Sequence, residues 1–101
     1  MKITPAKIEG VSLLYPPKYD DARGCFQPIF AERLHAGIDA PESWSEMNFS
    51  HSGPGTVRGL HFQNPDPQAK LITVVSGTIF DVAVDLRPDS PTFKKFETFY
   101  L

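Results

Sequence analysis

A chain of 101 residues has room for one domain with a modest core, because folding at this size removes somewhat under roughly 70% of the unfolded surface from water. Hydrophobic residues at 41%, aromatics at 12% and charged residues at 22% describe an ordered globular protein and exclude a disordered one. A formal net charge of −2 without any Lys/Arg run leaves no electrostatic footprint for nucleic acid or for an anionic membrane surface.

Ten Pro and seven Gly cut the chain into short runs rich in β-branched and aromatic residues, the pattern of an all-β sandwich or barrel. Lys7 to Leu14 reads as an opening strand stopped by Pro16-Pro17. Gly24 to Ile29 reads as a second, and Pro28 inside it suits an edge or a bulge. Ile29 to Ala36 has room for one or two helical turns, a short helix near 30–36. Strands are then expected at Trp44 to Ser50, Thr56 to Gln63, Lys70 to Val75, Thr78 to Leu86 and Phe93 to Leu101, separated by S-G-P-G, N-P-D-P, S-G and R-P-D-S-P turns. The Ser76-Gly77 turn predicts a tight hairpin.

Along Thr78 to Leu86 and on to Arg87, Ile79, Asp81, Ala83, Asp85 and Arg87 share one face, and Phe80, Val82, Val84 and Leu86 the other. The apolar face is expected to pack and the charged face to meet water or a site, with Asp85 and Arg87 as a surface or fold-stabilising pair. The run F-E-T-F-Y-L reaches residue 101 without a terminating turn, so the sheet reads as incomplete, with an edge that another segment or subunit should cover.

The lone Cys25 precludes an internal disulfide and reads as a small, partly buried, inert thiol in a reducing compartment, which points to the cytoplasm. The first residues, M-K-I-T-P-A-K-I-E-G, lack the apolar core of a signal peptide, and no stretch approaches the ~20 apolar residues of a membrane helix. A soluble protein is expected.

From Gly55 the spacing runs Gly, five residues, His61, one residue, Gln63, six residues, Lys70, six residues, Gly77. This resembles the first cupin motif, in which two His and a Glu at the corresponding places bind a metal. Lys cannot donate a lone pair to a cation and Gln is a poor transition-metal ligand, so no metal and no cofactor are expected here. His61 remains as a base. His35 and His51 lack paired ligand spacing and read as surface residues.

The likeness narrows with D-A-R-G-C-F at 21–26, N-F-S-H-S-G at 48–53, R-G-L-H-F-Q at 58–63, Q-A-K-L at 68–71 and G-T-I-F-D-V-A-V-D-L-R-P-D-S-P-T-F at 77–93. These ordered blocks resemble the dTDP-4-dehydrorhamnose 3,5-epimerase family. The resemblance implies a single cupin-type jelly-roll domain over 1–101, incomplete as a barrel. It implies removal and return of protons at C3 and C5 of a dTDP-linked 4-keto-6-deoxy sugar, on the way to dTDP-L-rhamnose. Each proton loss beside the C4 carbonyl leaves an enolate, which needs a base on one side and positive charge at the oxygen. Neutral imidazole, with an ordinary pKa of about 6.5, suits the catalytic base that the resemblance makes of His61. Lys70 would stabilise the enolate oxygen.

Arg23 and Arg58 offer planar forks for a diphosphate, and Asn48 a neutral hydrogen bond. Gln63 and Phe26 complete the expected substrate-binding set, and Asp81 is placed to orient Lys70 or His61. Each has an ordinary alternative. His61 could be a satisfied histidine, Lys70 a solvated lysine, the two arginines ion-pair partners, and Phe26, Phe62 and Trp44 core aromatics. In an ideal strand Arg58 and His61 face opposite ways unless Gly59 supplies a bulge.

The resemblance also implies a homodimer that exchanges an N-terminal strand, here Lys7 to Leu14. It places a general-acid Tyr and the Asp partner of the catalytic His in a C-terminal half beyond Leu101. Glu46 stands where the family usually has Gln, Pro28 where an acidic residue follows the R-G-x-F block, and the loop between His61 and Lys70 is one residue shorter. A carboxylate at 46 beside a diphosphate costs affinity unless an Arg pairs with it. The readings are an epimerase, whole across a dimer or in part, a nucleotide-sugar binder without turnover, and a cupin of unrelated ligand-sensing or structural role.

Overall fold

The computed structural model describes residues 1–34, 37–41 and 43–101. Chain contacts divide the molecule into two compact units, Met1–Asp39 with Ile72–Leu101, and Ala40–Leu71. The first carries every regular element among the described residues, and they form an all-β set with one short 3-10 turn. The elements are β1 (Lys2–Pro5), β2 (Ser12–Tyr15), β3 (Tyr19–Asp21), β4 (Gly24–Phe26), the 3-10 turn Glu32–Leu34, β5 (Phe80–Val84) and β6 (Phe96–Tyr100). The strands pair as three antiparallel two-stranded sheets, β1 with β2, β3 with β4 and β5 with β6. They do not close a barrel, which fits an incomplete cupin-like fold. No helix among the described residues is long and apolar enough to cross a membrane.

The opening strand is displaced from its expected place. Val11 N–H donates to the Ile8 carbonyl at 3.1 Å and Ala6 N–H to the Val11 carbonyl at 2.9 Å. Gly10, at φ +86°, takes the left-handed conformation that this turn requires and that side chains resist. Lys7 to Val11 therefore bend, and Ser12–Tyr15 pairs back on Lys2–Pro5, with Ile3 opposite Leu14. The second expected strand ends at Phe26, before Pro28, and β3, which the sequence reading did not anticipate, supplies its partner. Only Glu32–Leu34 of the expected helix is observed. Its continuation and His35 lie outside the described residues.

Trp44 to Ser50, Thr56 to Gln63 and Lys70 to Val75, all expected as strands, carry no ladder among the described residues. Ser76-Gly77 accordingly makes a bend rather than a hairpin. Their composition favours extended backbone, but a strand exists only through hydrogen bonds to a neighbour.

The β5–β6 hairpin sets Phe80 opposite Tyr100, Val82 opposite Thr98 and Val84 opposite Phe96, with Asp81 opposite Phe99 and Ala83 opposite Glu97 on the other face. The two faces reverse the expected burial. Phe80, Phe96 and Tyr100 are 57%, 65% and 78% exposed, whereas Asp85 is 3% exposed and, with Ile8 at 4%, is one of two buried residues among those described. Asp85 is buried because its carboxylate is saturated. It accepts from the Arg87 amide (3.0 Å), Arg87 Nε and Nη2 (2.9 Å each), the Ser90 hydroxyl and the Thr92 hydroxyl (2.6 Å).

This set of donors holds the Asp85 carboxyl far below the usual carboxylate range, with the Arg87 guanidinium the largest cause and the two hydroxyls next. Arg87 Nη2 also donates to the Glu9 carbonyl at 3.1 Å. On the same face Glu97 Oε2 accepts from the backbone N–H groups of Lys7 (2.8 Å) and Ile8 (2.9 Å). Glu97 directly, and Asp85 through Arg87, thus tie the N-terminal turn to the hairpin.

Candidate functional site

The segment Arg58 to Gln63 lies in the unit Ala40–Leu71, and the whole of 51–70 is exposed. It is irregular rather than a strand, which removes the strict alternation that would set Arg58 and His61 on opposite faces. A turn precedes it, with Thr56 N–H donating to the Gly53 carbonyl at 3.3 Å and Gly55 at φ +80°. Arg58 Nε donates to the Ser52 hydroxyl at 3.0 Å, which steadies the guanidinium with a neutral partner and leaves its other N–H groups for an anion. Ser52 was not singled out in the sequence. The block H-S-G-P-G-T-V-R folds into a turn that returns the chain beside it.

Gly59 sits at φ +99°, and its bare Cα is close to the His61 side chain. A Cβ there would fall 3.1 Å from Nδ1, 3.2 Å from the His61 backbone nitrogen and 3.5 Å from Cε1. Among the described residues His61, Gln63 and Lys70 make no hydrogen bond or ion pair, so an imidazole, an amide and an ammonium in this unit are open to an incoming ligand.

Asn48 Nδ2 donates to Glu46 Oε1. Because a carboxylate only accepts, this contact fixes the amide orientation and turns Asn48 Oδ1 away from Glu46. The carboxylate at 46 therefore finds an amide, not an arginine, as its partner.

Arg23, Phe26 and Asp81 belong to the other unit. Arg23 lies in the two-residue turn between β3 and β4, and its fork is already engaged. Nη2 is 2.7 Å from Asp21 Oδ2, Nε is 3.3 Å from both oxygens, and the Arg23 amide donates to Oδ1 at 2.8 Å. The pairing lowers the Asp21 carboxyl and raises the guanidinium, the side-chain hydrogen bond being the main cause of both shifts. The ion-pair alternative considered for Arg23 is thus present, although the pair is solvent-facing.

Phe26 is 68% exposed with its ring 6.3 Å from that of Tyr19, and Phe62 is 71% exposed. Neither is a core aromatic; Trp44 is half-buried. Cys25 is exposed rather than partly buried, because β3–β4 is a bare hairpin with no layer over it. Asp81 is half-buried on β5.

A model of the family described as dTDP-4-dehydrorhamnose 3,5-epimerase matches residues 5–101. The chain belongs to this epimerase family. Relatives named dTDP-4-dehydrorhamnose 3,5-epimerase include a Neisseria gonorrhoeae protein, 41% identical over 95% of this chain and 29% of its own length. One from Methanothermobacter thermautotrophicus is 42% identical over 85% of this chain and 46% of its own. A Streptomyces niveus relative named dTDP-4-dehydrorhamnose 3-epimerase is 41% identical over 96% and 48%. The chain therefore spans about half the length, or less, of these family members. No solved structure matches it.

Proposed function

We propose that this chain carries the base side of a metal-free epimerase acting on a dTDP-4-keto-6-deoxy sugar in dTDP-L-rhamnose biosynthesis. The observation that carries the reading is the family match over residues 5–101, within which R-G-L-H-F-Q presents an exposed imidazole with no competing partner among the described residues.

In this reading His61 takes the proton from carbon next to the C4 carbonyl, and the electron pair of that C–H bond moves onto the carbonyl oxygen as an enolate. Lys70 offers the cation that stabilises it. Return of a proton to the opposite face inverts the centre. Arg58 and Arg23 meet the diphosphate, while Asn48, Gln63 and Phe26 position the rest of the nucleotide sugar, and Asp81 orients Lys70 or His61. Lys and Gln at the places where metal-binding cupins carry ligands support chemistry without a metal or cofactor. The same reading makes the protein a cytoplasmic, cupin-type homodimer in which the segment Lys7 to Leu14 is the exchanged element.

Incubation with a dTDP-4-keto-6-deoxyhexose in D2O tests it, against a protein-free control. Deuterium should enter C3 or C5, survive EDTA treatment and be lost in His61→Ala. Label at C3 alone would assign a 3-epimerase. Nucleotide-sugar binding without deuterium entry would overturn catalysis and leave a binding protein.

A further inference from the structure

In R-G-L-H the glycine two residues before the histidine does more than turn the chain. Both ring atoms nearest the ideal Cβ position of Gly59 are on one edge of the imidazole, Nδ1 at 3.1 Å and Cε1 at 3.5 Å. That edge therefore rests over the glycine, and Nε2 is the ring nitrogen farther from it. The His61 backbone nitrogen lies 3.2 Å from the same point, so the chain there cannot yield without moving the residue as a whole. The space beside Gly59 that a side chain would fill is taken by the imidazole.

We infer that Gly59 is a positioning residue for the His61 imidazole, setting which ring nitrogen is presented for proton transfer. This rests on the proposal that His61 is the base. A methyl at 59 would contact Nδ1 and the His61 amide below ordinary van der Waals separation. The imidazole would swing out about its Cα–Cβ bond, since the side chain can move where the backbone cannot. Ground-state binding through Arg58 and the nucleotide contacts would persist, whereas the proton transfer, which needs atoms about 3 Å apart, would not.

Two effects must be separated, because any L-residue at φ +99° is also strained in its backbone. Gly55 provides the control. It has a similar φ of +80° in the same unit, and nothing lies within 4 Å of its ideal Cβ position. Gly55→Ala thus introduces comparable backbone strain without touching the imidazole.

The experiment follows the His61 ring by 1H–15N and 1H–13C NMR titration in wild type, Gly59→Ala and Gly55→Ala. Gly59→Ala should move the His61 ring shifts and tautomer balance away from those of wild type, and Gly55→Ala should leave them in place. Deuterium exchange into the substrate should fall at least ~10-fold in kcat for Gly59→Ala with KM nearly unchanged. Superposable His61 titrations in Gly59→Ala and wild type would overturn the inference. If wild type shows no exchange but Gly59→Ala still moves the ring, the catalytic reading fails and the positioning stands.

A thermal-melting cycle covers poor folding of the single variant. The loss of Tm on Gly59→Ala should be smaller in a His61→Ala background, where the ring is gone. An equal loss in both backgrounds would overturn the inference.

Discussion

Glu97→Ala is the perturbation that most directly examines how the N-terminal turn is held. It removes the acceptor of two backbone N–H groups, those of Lys7 at 2.8 Å and Ile8 at 2.9 Å. Hydrogen bonds to a charged acceptor contribute about 1.5–3 kcal/mol where water is excluded. The Ile8 bond is partly buried and takes that range, while the Lys7 bond is exposed and contributes less than about 1 kcal/mol. Together they amount to about 1.5–4 kcal/mol, which for a domain of this size lowers Tm by roughly 6–30 °C. Glu97→Gln retains an uncharged acceptor and should lose about half as much. Circular-dichroism melting at neutral pH measures the loss, and hydrogen exchange should show the Lys7 and Ile8 amides losing protection first. If Glu97→Ala melts within about 2 °C of an exposed control, Glu32→Ala, the carboxylate does not anchor the turn and the argument fails.

Asp85 gives a prediction in pH. Its folded carboxyl is held well below its ordinary value by Arg87, Ser90 and Thr92, so the unfolded chain takes up the proton first, near about pH 4. The stabilisation is fully present above that range and is lost as pH falls. Wild type should therefore melt above Asp85→Asn at pH 7, with the gap narrowing on acidification; a gap constant from pH 7 to 3 would refute it. For Arg23, Asp21→Asn releases the guanidinium from an exposed pair. The melting midpoint should barely move and, on the proposed function, calorimetry should show severalfold tighter dTDP binding. Unchanged affinity would remove Arg23 from the diphosphate contacts.

The β5–β6 hairpin was legible in outline, since alternation over I-F-D-V-A-V-D-L and the R-P-D-S-P turn located both strands within two or three residues. Which face packs was not. Alternation sorts polar from apolar residues but says nothing of hydrogen-bond supply. Asp85 is buried because Arg87, Ser90 and Thr92 follow at two, five and seven residues, a local donor set that could have been read from D-L-R-P-D-S-P-T. Glu97 left no such signal, because its donors are backbone groups about 90 positions earlier.

The segments from Trp44 to Ser50 and from Thr56 to Gln63 show the opposite failure. Their strand propensity is plain, but side chains such as Met47, Phe49, Val57 and Phe62 are 71–90% exposed, so alternation there buries no face. His61 and Lys70 were singled out through motif spacing rather than local chemistry. The engagement of Arg23 by Asp21 could have been anticipated, because D-A-R-G brings the two charges together across a two-residue turn.

The ties from Lys7, Ile8 and Glu9 to Glu97 and Arg87 span 78 to 90 positions of sequence, and this sets a timetable during synthesis. At roughly 5–20 residues per second, Lys7, Ile8 and Glu9 are polymerised about 4–18 s before the side chains they tie to. In that interval the β1–β2 hairpin is complete in sequence while the side chain of Ile8, later the one buried apolar residue among those described, is without its final surroundings. A nascent chain of this protein therefore passes through a window in which Lys7 to Glu9 are made but not yet anchored, a stage at which a ribosome-associated chaperone can bind them.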